Sequence, residues 1–238
     1  MISRRQVLAG IAGATALGPA RAFAAQECVA AGEGARQCSV GIDIAVETAR
    51  QRCNNWCWAA CIQTVFAIHN HDVAQESLVE KIFGSADPDT DCNTADEPKI
   101  IAAINGSWTD AYGFQFNTHA EVLPMSATAV STSEVNPNET DPSVTATTMA
   151  TNMFSGDDLR VVINELANNN PLILGRMGTV IGHAMVVTAM SYVEHSSGWI
   201  ELTELVVRDP WPESLSLRRL SGEEIRNTFL LIKVTVQG

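Results

Sequence analysis

Lysine is nearly missing from this chain: only Lys81, Lys99 and Lys233 occur in 238 residues. The formal net charge is −12. Nucleic acid and anionic membrane surfaces are bound by clustered cations, so neither partner is expected. Charged residues make up only 18% of the chain, and the acidic excess reads as a solubility feature. No internal repeat recurs. Beyond the first residues, no apolar run approaches the roughly 20 residues that span a bilayer. What is present is a 46% hydrophobic composition, enough for one core in a domain of moderate size.

Residues 1–24 stand apart. Ser3-Arg4-Arg5-Gln6-Val7-Leu8 is a twin-arginine pattern, followed by an apolar run from Val7 to Leu17 that Pro19 breaks. Ala22-Phe23-Ala24 supplies the small residues that a signal peptidase reads. Arg21 beside that site fits the twin-arginine route. The expectation is a cleaved signal peptide over 1–24 and a mature domain over 25–238. That domain would work in a bacterial periplasm or outside the cell, away from membranes, where disulfides persist.

The Gly- and Ala-rich residues 25–50 read as a loop or arm. The pattern then predicts a buried helix from Asn55 to His69, a second over Val73–Phe83 and a third opened by Asp96-Glu97-Pro98. Residues 126–150 hold ten Ser or Thr, Pro137, Pro142 and no Lys or Arg, and read as a long mobile loop, a candidate lid over a cleft. Ser155-Gly156-Asp157-Asp158 caps a helix reaching Asn168. Strands follow at Leu172–Gly175, Ala184–Val187, Ile200–Val207 and Phe229–Val236, with a turn at Ser196-Ser197-Gly198. The fold class is α+β, with helices first and an antiparallel sheet second.

Three segments carry chemistry. In Gln51-Arg52-Cys53-Asn54-Asn55-Trp56-Cys57-Trp58-Ala59, Cys57 sits where the buried helix begins, and a helix N-terminus favours a thiolate. Gln51 is placed to bind an oxyanion together with the Cys57 backbone N–H. A thiolate needs a base, and the chain has five histidines. His69 and His71 follow the helix too closely to reach its start. His119 lies in a loop-like context and His195 in a turn-like one. His183 opens an apolar strand in Gly182-His183-Ala184-Met185. The next antiparallel strand ends at Asp209-Pro210-Trp211, which returns a carboxylate to His183 and fixes its tautomer. His69-Asn70-His71 reads as a solvated pair, and Asp87–Asp91 lacks the later Gly and Glu of a calcium loop. No metal or cofactor is expected.

Together these motifs resemble the papain-like superfamily of cysteine peptidases, especially its bacterial C39-like and AvrRpt2-like branch. The resemblance spans residues 50–235. It implies a papain-like domain in which Cys57, His183 and Asp209 form the catalytic set and Gln51 serves the oxyanion. Trp58 and Trp211 would support the site, Trp211 standing where the family often shields its histidine. The implied activity is hydrolysis of a peptide or protein substrate through a thioester. A peptidoglycan amidase, deamidase or acyltransferase with the same triad, and a non-catalytic peptide-binding domain, are the alternatives. Asp209 stands where papain has Asn, and Cys53 precedes the nucleophile by four residues instead of three. No long propeptide separates the signal from Gln51.

Six cysteines in an exported chain call for bridges that leave Cys57 free. Pairing Cys28 with Cys38 would anchor the arm, and pairing Cys53 with Cys92 would brace the active-site loop. Cys61 then remains a packed thiol. The alternative is Cys61–Cys92 with Cys53 free.

Overall fold

The computed structural model describes residues 26–43, 46–124, 154–177 and 182–238. The signal segment 1–24 and the loop expected over 126–150 lie outside the described residues. Five helices and nine strands are assigned: β1 (Glu27–Gly32), β2 (Ala35–Gly41), α1 (Cys57–Ile68), α2 (Gln75–Phe83), α3 (Glu97–Ile104), β3 (Gly106–Thr109), β4 (Gln115–Val122), α4 (Gly156–Ala167), β5 (Leu172–Arg176), β6 (His183–Glu194), β7 (Ile200–Arg208), β8 (Leu217–Arg219), α5 (Gly222–Arg226) and β9 (Thr228–Gln237). The class is α+β. No helix among the described residues is long and apolar enough to cross a membrane.

All nine strands join one antiparallel sheet in the order β1-β2-β6-β5-β9-β4-β3, with β7 paired to β6 and β8 to β7. Both faces of its centre are buried, which explains why the strands read as continuous apolar runs. Leu172, Leu174, Met185, Val187 and Leu231 point to one face and pack with Leu159, Val162 and Leu166 of α4. Ile173, Ala184, Val186, Leu230 and Ile232 point to the other and pack with α1, α2 and α3. The period of two along each strand divides the apolar residues between two cores. Helix α1 is the centre of the second core; Trp58 to Ile62, Thr64 to Phe66 and Ile68 are buried, and Cys57, Gln63 and Ala67 are half-buried.

Two features correct the sequence reading. Residues 27–41 are not a loop but a β-hairpin, whose turn runs through Gly32, Glu33 and Gly34 with φ of 87°, 48° and 78°. Buried Cys38 and Val40 alternate with more exposed Gln37 and Ser39. The abundant Gly and Ala hid this period. A second hairpin, β3–β4, pairs Trp108 with Phe116. In β4, Phe116, Thr118 and Ala120 are buried between exposed Gln115, Asn117, His119 and Glu121, so His119 belongs to a strand and not a loop. The sheet therefore draws strands from both halves of the chain, and the helices do not all precede it.

Two disulfides join Cys28 to Cys38 and Cys53 to Cys92, while Cys57 and Cys61 are free. The first links residues directly opposite in the β1–β2 register. These are the pairs that the sequence reading favours over Cys61–Cys92.

Leu172 is fully buried and Leu215 is 75% exposed. Leu172→Ala is expected to cost about 2–5 kcal/mol. Leu215→Ala should stay within about 0.5 kcal/mol. Denaturant unfolding of the two variants checks the assignment of the core, and equal losses would contradict it.

Candidate active site

Cys57 is the first residue of α1, at the end where four backbone N–H groups lack helical acceptors. The turn before it is tightly built. Trp56 N–H donates to Cys53 O (3.1 Å), and the Gln51 side-chain amide donates to the carbonyls of Cys53 (3.1 Å) and Asn54 (2.9 Å). Asn55 Nδ2 donates to Cys92 O (2.8 Å), beside the Cys53–Cys92 bridge. The segment 92–95 is thereby fastened to the loop that presents the thiol.

His183 opens β6, and its Nε2 lies 2.8 Å from Asp209 Oδ1. Cys57 lies near enough to the imidazole to raise its pKa, and both side chains line one cleft. With Nε2 turned to Asp209, Nδ1 is the nitrogen left for sulfur. The Trp211 ring stands edge-on to the imidazole, with centroids 6.2 Å apart at 86°. Asp209 is almost wholly buried; its Oδ1 also accepts from the Trp211 backbone N–H (3.0 Å) and its Oδ2 accepts from Arg218 Nε (2.8 Å).

Electrostatics follows this geometry. Burial works against charge on His183, but the hydrogen bond to Asp209 and the proximity of Cys57 outweigh it and raise the pKa to about 9. Burial likewise opposes ionisation of Asp209, yet the bonds from His183, the Trp211 N–H and Arg218 hold it down at about 2. The arrangement suits an imidazolium held against the Asp209 carboxylate. Cys61, one helical turn below Cys57, is the opposite case: burial pushes its thiol well up, reinforced by the negative charge of Cys57.

An open cleft runs along this wall. Cys57, Trp58 and His183 line it together with Asn55, Thr94, Ala95, Ile173, Gly175 and Phe229. A Cβ on Gly175 would lie 3.1 Å from Leu230 Cβ and 3.3 Å from the Phe229 ring, so a side chain there would press both neighbours back by a few tenths of an ångström.

The structure thus brings together Cys57, His183, Asp209, Trp58 and Trp211. Gln51 is buried next to them, but its two amide hydrogens serve the carbonyls of its own loop instead of facing the cleft. The other histidines lie elsewhere. His71 is not solvated: it stacks on Phe116 at 3.8 Å and bonds to buried Asp110 at 3.1 Å. His69 is partly buried, and this burial lowers its pKa. His195 stays at its turn beside Trp199 and Glu201. Among the described residues, no three His, Cys, Asp or Glu converge as metal ligands.

Sequence reasoning missed Arg50, Gln75 and Arg218. Arg50 Nη1 lies within hydrogen-bonding distance of the carbonyls of Asp209 (3.2 Å), Trp211 (2.6 Å) and Ser214 (3.1 Å). Gln75 accepts from Arg52 N–H (3.2 Å) and donates to Arg50 O (2.8 Å), gripping the chain on both sides of Gln51. No motif spacing marks these residues, because each acts across the fold.

A family model described as the Peptidase_C39 like family matches residues 43–230. No curated protein matches the chain.

The raised pKa of His183 links stability to pH. Because the folded value exceeds the ordinary 6.5, its contribution is complete below 6.5 and is lost as pH rises through about 9. Melting temperatures of the wild type and His183→Gln are therefore expected to converge across that window. A gap that stays constant with pH would show that the imidazolium pair does not stabilise the fold.

Proposed function

Since the chain belongs to the Peptidase_C39 like family, we propose that it is an exported cysteine peptidase that cleaves peptide bonds through a thioester, with Cys57 as nucleophile, His183 as acid and base, and Asp209 orienting His183. The observation that supports this reading most is that Cys57 and His183 line one cleft while Asp209 bonds to His183 from the buried side.

The steps follow from those contacts. The Cys57 thiolate adds to the carbonyl carbon of the scissile amide, and the carbonyl oxygen takes the negative charge. The unpaired N–H groups of the first turn of α1 stabilise that oxyanion. Gln51 takes part as a second donor once its amide turns from the carbonyls of Cys53 and Asn54 to the cleft. Collapse breaks the C–N bond, and His183 delivers its proton to the departing amine. His183 then removes a proton from water, which attacks the thioester; the acid leaves and the thiolate–imidazolium pair is restored. Asp209 stays ionised throughout, holding Nε2 so that Nδ1 faces sulfur. Trp211 covers the edge of the imidazole and screens its bond to Asp209 from water, and Trp58 supports the cleft floor.

Export is part of the same proposal. Two disulfides suit an oxidising compartment, and the twin-arginine pattern precedes the described domain.

Cys57→Ala and His183→Ala are expected to abolish hydrolysis of a diverse peptide library with the fold intact, whereas Asp209→Ala lowers kcat by less. A thiol-directed epoxide should label the wild type and not Cys57→Ala. Full turnover by a folded Cys57→Ala protein would overturn the mechanism. Labelling combined with activity on muropeptides alone would replace the peptidase reading with an amidase.

A further inference from the structure

The polar contacts behind His183 do not end at Asp209. Its carboxylate has two oxygens to satisfy in a nearly dry position. Oδ1 carries both the His183 ring and the Trp211 N–H, and Oδ2 accepts from Arg218 Nε at 2.8 Å. The far side of the same guanidinium is gripped by Glu224, with Nη1 3.0 Å from Oε2 and Nη2 2.8 Å from Oε1. Glu224 is itself fixed. As the third residue of α5 it accepts from the Ser221 N–H (2.9 Å) and hydroxyl (3.1 Å), in a reciprocal cap.

We propose that Arg218 is a positioning residue of this site: clamped by Glu224 on one edge, it holds Asp209 Oδ2 on the other and so fixes the rotation of the carboxylate that orients His183. This inference rests on the reading of Cys57, His183 and Asp209 given above. An aspartate carboxylate turns easily about its last bond. His183 and Trp211 both bond to Oδ1, so alone they define a pivot and not an orientation. Arg218 supplies the second point, and without it Oδ2 would be a buried acceptor with no donor. Lysine would restore the charge at one point but not the planar fork that meets both carboxylates.

Two other roles make different predictions. In the first, Arg218 serves only to tie β8 to α5; in the second, it acts only as a positive charge near the imidazolium. The charged groups around His183 are Cys57 from α1, Asp209 after β7, Arg218 from β8, Glu224 from α5 and Arg176 from β5, whose Nε lies 3.6 Å from Glu224 Oε1. Loss of Arg218 as a bare charge would raise the pKa of His183. Loss of Arg218 as a positioner lowers it, because a loose carboxylate supports the imidazolium less.

The test uses alkylation of Cys57 by iodoacetamide, which needs no substrate, together with NMR titration of the His183 ring. Arg218→Gln, Arg218→Lys, Asp209→Asn and the double variants are compared, with Cys57→Ala as the labelling control. Arg218→Gln is expected to slow alkylation about tenfold, Lys recovering only part, and to change it by less than about twofold in the Asp209→Asn background. The His183 titration should move down. Equal slowing in both backgrounds, or an upward titration, overturns the proposal. If Arg218→Gln fails to fold, Glu224→Gln carries the test: releasing the fork should shift the titration down, and an unchanged titration counts against the inference. Wild-type protein without peptide hydrolysis would instead refute the function above, whatever the cycle shows.

Discussion

The hydrogen bond between His183 and Asp209 depends on a register that two β-bulges keep in step. The β6–β7 hairpin turns between Glu194 and Ile200, and these two residues are paired. Counting outward in a regular ladder pairs Val186 with Arg208, as observed, although the ladder slips twice on the way. One extra residue lies on β6 between Val187 and Ala189, the other on β7 between Leu202 and Glu204. Each slip alone would shift every later residue to the opposite face of the sheet. Because they lie on different strands they cancel. Asp209 therefore follows Arg208 to a place across from Met185, diagonal to His183, within reach of a side-chain bond.

That hairpin positions only half of the site. The thiol arrives from the other half of the chain, on a helix whose place is set by the double-sided sheet. Ile173, Ala184 and Val186 present an apolar surface to α1, and the helix is buried on nearly all sides. With α1 fixed there, its N-terminus meets the end of β6 where His183 emerges. The loop before it is bound to the segment after β7: Gln51 N–H donates to Pro210 O at 3.0 Å, and Arg50 collects the carbonyls beyond. Neither half can shift without breaking contacts beside the Cys57–His183 pair.

These two constraints explain what the sequence disclosed. The hairpin was legible because its strands are apolar, its turn is marked by Ser-Ser-Gly, and cancelling bulges leave simple counting valid. Helix α1 was legible from its apolar surround, and the disulfide partners from the few cysteines left once Cys57 was kept free. The hairpins at 27–41 and 106–122 were not. One hides its period among Gly and Ala. The other alternates in β4 but carries Gln, Asn, His and Glu outward, so its apolar content is modest. The orientation of the Gln51 amide was also out of reach, since its spacing to Cys57 says nothing about which way the donors turn. Arg218 and Arg50 lay in unremarkable polar stretches, and their acceptors are fixed only by tertiary structure.

The scarcity of lysine bears on how this site tolerates its charges. Burying an unpaired ion is very costly, so ionised groups in a nearly dry wall must close in pairs. They do so here. His183 faces Asp209, Asp209 also faces Arg218, and Glu224 bonds to Arg218 with Arg176 close by at 3.6 Å. The low pKa of Glu224, about 2, reflects the same balance: burial opposes its charge, and the Arg218 and Ser221 bonds prevail. The cations behind the histidine are arginines, and the work of Arg218 needs a fork. It reaches two carboxylates with three nitrogens, while Arg50 meets the carbonyls of one loop through Nη1 alone. An ammonium group is a point charge that prefers its own hydration. The three lysines are placed accordingly: Lys99 and Lys233 pair with single carboxylates, and Lys81 caps the carbonyls ending α3. Where positive charge enters this nearly dry wall, arginine and not lysine supplies it, and its planar fork meets the buried carboxylates from two sides.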